Sequence, residues 1–85
     1  MGISAYILIE VEPGKVKDVA TQLTRLSGVE NACVVTGPYD VIGYIRQKNI
    51  EELGEMITNN IQTIPGVRKT ITCLCSFHYP EEKGS

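Results

Sequence analysis

A chain of 85 residues is one domain and buries only about 60–65% of its unfolded surface, so association between copies is an expected source of stability. Its 42% hydrophobic and 21% charged residues fit a globular chain, and no segment approaches the ~20 apolar residues of a membrane span. The net charge of -2, with Lys15, Arg25, Arg46 and Lys69 scattered along the chain, excludes a basic nucleic-acid-binding face.

The start, Met1-Gly2-Ile3-Ser4, lacks the basic segment of a secretory signal. Residues 5–12 read as a strand, stopped by Pro13-Gly14. From Val16 the period changes: Val16, Val19, Ala20, Leu23 and Leu26 share one helical face, and Gly28 is placed to cap its end. Residues 29–36 and 40–47 read as the second and third strands. Asn49 with Glu52 three residues later makes a capping box for a second helix, whose apolar stripe is Ile50, Leu53, Met56, Ile57, Ile61 and Ile64. Pro65-Gly66 ends it, residues 67–77 read as the fourth strand, and residues 79–85 as a mobile polar tail.

The order βαββαβ contains a faint repeat, because each helix hands over to a strand through Gly-Val, at Gly28-Val29 and Gly66-Val67. Two interleaved βαβ halves give an α+β, ferredoxin-like plait with both helices on one face of an antiparallel sheet of order 4-1-3-2. A sheet covered on one face should alternate apolar and polar residues. These strands do not. Tyr6 and Leu8 lie opposite Ile7, Ile9 and Val11, and Ile42 and Tyr44 opposite Val41 and Ile45. Ile71, Cys73 and Cys75 oppose Leu74, and Val35 and Cys33 oppose Val34 and Ala32. The second face is therefore substantially apolar too, with Thr70, Thr72, Ser76, Glu10 and Arg46 expected at its margins. The simplest cover is a second copy, sheet against sheet.

Three cysteines without C-x-x-C spacing fit a reducing compartment, and the cytoplasm is the expected location. Cys33 and Cys73 are expected at opposite sheet edges, ~14 Å apart and beyond disulfide reach, so the cysteines read as small buried hydrophobes. No metal site and no cofactor are expected. His78, the sole histidine, has no visible catalytic partner, and Glu51, Glu52 and Glu55 read as complements to a helix dipole. No catalytic residues are expected, and the chain reads as a non-enzyme.

What remains is the turn Thr36-Gly37-Pro38-Tyr39-Asp40. Glycine reaches φ > 0 without strain, proline presets φ, and aspartate bonds nearby backbone, so a tight hairpin is expected. An ordinary structural hairpin would use the same residues. Its tip nonetheless carries a carboxylate, a phenol, a hydroxyl and free N–H donors, taken as those of Gly37, Tyr39 and Asp40, which suit a small zwitterion.

Residues 4–77 resemble the effector-binding (RAM) module of the Lrp/AsnC family of feast/famine regulators. The likeness rests on Ala5-Tyr6-Ile7-Leu8-Ile9 with Glu12-Pro13-Gly14, Gly28-Val29, Thr36-Gly37-Pro38-Tyr39-Asp40-Val41, and Ile64-Pro65-Gly66-Val67 followed by Thr70-Ile71-Thr72. The resemblance implies a sheet-paired homodimer assembling into tetramers, octamers, decamers or other rings, with an amino acid or related small metabolite bound between dimers. It implies a ligand-binding set of Thr36, Gly37, Tyr39 and Asp40, joined by Thr72 and Leu74 on the last strand, with Asp40 as the effector-response aspartate.

Residues 1–78 are thus expected to be a stand-alone ligand-binding domain, with no helix-turn-helix domain, no direct DNA binding and no membrane contact. The expected role is sensing, through association with full-length regulators of the same family. An ACT-type amino-acid-binding domain, with ligand near residues 12–15, and a dimeric α/β-barrel enzyme using Tyr6, Glu10 and Tyr44 are the alternatives. A purely structural oligomer is the third.

Overall fold

The computed structural model describes residues 2–79, so most of the expected tail lies outside the described residues. Strand β1 (Ile3–Val11) carries Ala5, Ile7, Ile9 and Val11 on its buried face. Helix α1 (Val16–Thr24) presses Val19 and Leu23 onto the sheet. Strands β2 (Val29–Val34) and β3 (Val41–Gln47) follow, then helix α2 (Ile50–Met56) and strand β4 (Val67–Leu74). The sheet is antiparallel throughout, in the order β2-β3-β1-β4. That is the predicted plait.

The core lies between sheet and helices. Val41 and Ile45 of β3 join the β1 row, and Leu53, Met56, Ile61 and Ile64 close it from above. Gly43 leaves room for α1: a Cβ there would lie 3.1 Å from Leu23 Cδ2 and 3.3 Å from Ile7 Cγ2. No polar or charged residue is buried among the described residues.

The internal repeat is conformational as well as sequential. Gly28 has φ 97° and Gly66 φ 101°, in the left-handed region where a Cβ is strained. Gly28 O accepts from Arg46 N–H and Gly66 O from Glu12 N–H, both at 2.8 Å. The N–H groups of Val29 and Val67 then donate to Leu26 O and Ile64 O, at 3.2 and 3.1 Å. Each glycine therefore seats the end of its helix on a central strand.

The second helix departs from expectation. It is α-helical for Ile50–Met56 and widens to a π-helical turn over Ile57–Ile61, closed by Gln62 N–H donating to Ile57 O at 2.8 Å, five residues back. Asn59 and Asn60 are weak helix formers that lose little by this, and Ile61 and Ile64 stay buried. The cap is as expected, with Asn49 Oδ1 accepting from Glu52 N–H at 2.8 Å.

Strand ends also differ. β2 stops at Val34 rather than residue 36, so the connection to β3 is a six-residue loop, 35–40. β4 stops at Leu74 rather than residue 77, with Cys75 N–H bonded to Ser4 O at 2.9 Å just beyond its end.

The uncovered face of the sheet carries Tyr6, Leu8, Ile42 and Tyr44, as the pattern predicts, and the register of β4 adds Ile71 to it. Two expectations about it are corrected. Thr70 and Thr72 pair with Ile9 and Ile7, which places them on the helix side of β4 instead of the margin of the open face. Cys33 and Cys73 are exposed and Cys75 is half-buried, because all three lie on or beside the face that the helices do not cover.

Candidate functional site

Loop 35–40 folds back onto the end of β1. Val35 N–H donates to Asp40 O and Asp40 N–H to Ile9 O, both at 3.0 Å. The Asp40 carboxylate reaches further: its Oδ2 accepts from Val11 N–H at 2.8 Å. β1 extends past its partner here, since Ile9 pairs with Val41, the first residue of β3. No β3 carbonyl stands opposite Val11, and the side-chain oxygen takes its place. Val11 is only 6% exposed, so its N–H needs that acceptor.

Three expectations change at this loop. Gly37 has no positive φ, because six residues turn the chain without a left-handed position; positive φ occurs at Gly14, Gly28 and Gly66. What Gly37 contributes is openness, with no heavy atom within 4 Å of where a Cβ would stand. The Asp40 N–H is spent on Ile9 O, so that of the three expected donors Gly37 and Tyr39 remain without a backbone partner among the described residues, as does Thr36. The carboxylate bonds a neighbouring strand and not its own loop.

Thr36 and Gly37 are exposed, while Tyr39 and Asp40 are half-buried. The chain brings these four together and leaves Thr72 and Leu74 apart. Thr72 pairs with Ile7 and Leu74 with Ala5, roughly 7 and 13 Å along the sheet from the Ile9 rung that holds Asp40. Leu74 is half exposed on the edge strand. A cleft of about 370 Å3 lies elsewhere, between the turn that follows α1 and helix α2, lined by Leu26, Gln47, Glu52, Met56 and neighbours.

A second cluster sits on the open face. Tyr6 and Tyr44 have ring centroids 4.9 Å apart, and Arg46 Nη2 donates to Tyr44 Oη at 3.4 Å. The Ser4 hydroxyl and then the Arg46 guanidinium hold the Tyr44 phenol below its ordinary value, and that phenol raises Arg46 further. Glu10 lies opposite Lys69 of β4, four residues along β1 from Tyr6. Sequence reasoning named both tyrosines but missed Ser4; register with Arg46 was the signal that could have found it. Among the described residues no group of three metal-ligating side chains converges, and no helix is long and apolar enough to cross a membrane.

Comparison with known proteins gives this geometry a family context. A family model described as the Lrp/AsnC ligand binding domain matches residues 4–82. The HTH-type transcriptional regulator FL11 of Pyrococcus abyssi is 40% identical over 70 residues, which cover 82% of this chain and 46% of that protein. The chain spans about half the length of the curated relatives it matches. The crystal structure of TTHA0845 from Thermus thermophilus superposes with a TM-score of 0.87 at 34% identity, covering 93% of this chain and 99% of that one. The NMB0573/L-Met complex from Neisseria meningitidis has a TM-score of 0.84 at 10% identity, covering 98% and 55%, a likeness of fold alone.

Proposed function

The chain belongs to the Lrp/AsnC family, whose ligand-binding domain it carries, and from that premise we propose that it is a non-enzymatic sensing module for an amino acid or related small metabolite. The observation that carries this reading is the loop itself. It holds a half-buried carboxylate with one oxygen engaged and the other without a hydrogen-bond partner among the described residues, beside the Gly37 and Tyr39 N–H groups. An α-ammonium suits the second oxygen and an α-carboxylate suits the N–H donors, each as a charge-assisted hydrogen bond.

One chain supplies half of such a site. Thr72 and Leu74 contribute only from a neighbouring copy, which accords with a homo-oligomer built on the open sheet face. The sensing role proposed here is exercised in the cytoplasm through association with full-length regulators of the family. The open face lacks a carboxylate or histidine paired with Tyr6 and Tyr44 among the described residues, which disfavours the barrel-enzyme alternative.

A thermal-shift screen of the twenty amino acids, with solution mass measured alongside, tests the reading. A ligand at 100 times its dissociation constant stabilises by about 2.7 kcal/mol. Asp40→Asn should abolish that shift while keeping the fold. No shift with any amino acid would sink the sensing function.

A further inference from the structure

Asp40 has more to do than a ligand contact requires. Its Oδ2 is committed to Val11 N–H, the donor that β3 leaves unmatched, while an ionised carboxylate offers about four acceptor positions in all. Immediately beyond Val11 the chain turns through Pro13-Gly14 into α1. Glu12 N–H donates to Gly66 O at 2.8 Å, Lys15 N–H to Glu12 O at 3.1 Å, and Val19 N–H to Lys15 O at 2.9 Å. Gly14 has no heavy atom within 4 Å of a Cβ position, so the tip of this turn is open. Backbone bonds from Glu12 and Lys15 tether its two flanks.

We propose that the Asp40 carboxylate couples the ligand loop to the α1 turn, Oδ2 completing the β1 ladder at Val11 while Oδ1 receives the ligand's ammonium. The inference rests on the sensing function of loop 35–40 and names its regulation. An ammonium on Oδ1 holds the carboxylate in the orientation that Val11 already favours. Both bonds coexist, so ligand occupancy and the Val11 rung strengthen each other, and by linkage the effect is reciprocal. Tightening that rung restrains residues 12–15 and, through Glu12 and Gly66, the junction that starts β4. The loop and the first turn, rival ligand positions by sequence, are thereby one connected unit.

Amide hydrogen exchange at Val11 tests this in the full chain. Without ligand, Asp40→Asn retains an acceptor oxygen and should leave Val11 slow, whereas Asp40→Ala should speed it by roughly tenfold, with Ile7 and Ile45 as folding controls. An equimolar mixture of the twenty amino acids should slow Val11 in the wild type by at least about fivefold, the lower end of site-to-site coupling, and leave Asp40→Asn unchanged. Thermal stabilisation by the mixture with Val11 exchange unchanged or faster overturns the coupling and leaves sensing intact. Absence of stabilisation overturns both. Equal Val11 exchange in wild type and Asp40→Ala overturns the ladder role itself; if Asp40→Ala does not fold, fast Val11 exchange in Asp40→Asn does so instead.

Discussion

Removing the Asp40 side chain strands a buried N–H, because Val11 has no second acceptor among the described residues. An unsatisfied buried donor costs about 1–3 kcal/mol, so Asp40→Ala should lower unfolding stability by that amount in denaturant titration. Asp40→Asn should cost clearly less, since its amide oxygen still accepts. Gly66 presents a different kind of constraint. With φ 101° and a Cβ position 2.8 Å from Lys15 Cβ, Gly66→Ala should destabilise by roughly 1–3 kcal/mol. Gly37→Ala, with negative φ and open space around it, should be near neutral for folding in the same measurement.

At the scale of elements, helix α2 depends on its start. Asn49 has extended φ and ψ of -153° and 173° and accepts from Glu52 N–H, so Asn49→Ala should cost about 1 kcal/mol, read as a lower midpoint temperature. The seat of α1 on the sheet depends on Gly43. Valine there would meet Leu23 and Ile7 closer than van der Waals contact allows, and about 1–3 kcal/mol of overpacking is expected. The π-helical turn after α2 had no sequence signal beyond Gly54 and the two asparagines, whose weak propensity is compatible with a plain frayed helix.

At the scale of the molecule, the two faces of the sheet have opposite fates. One is closed by Val19, Leu23, Leu53, Met56 and Ile61; the other leaves Tyr6 46% exposed beside half-buried Leu8, Ile42 and Ile71. Ile42→Lys on the open face should therefore spare the fold, judged by circular dichroism, and reduce the particle mass in light scattering to that of a smaller assembly. Unchanged mass would place the interface elsewhere.

Sequence by itself determined the order of elements, the face each helix buries and the two Gly-Val junctions, because hydrophobic period and left-handed glycine are local properties of the chain. It also singled out residues 36–40 from their polar side chains between apolar runs. Only the tertiary structure decided what those side chains touch. Asp40 and Val11 are 29 positions apart, and whether a carboxylate replaces a missing ladder carbonyl depends on where two strands stop against each other. The same holds for Thr70 and Thr72, whose face follows from the register of β4 on β1 and not from their own alternation. Pattern is written residue by residue, but register and the ends of strands are set by pairing with distant segments.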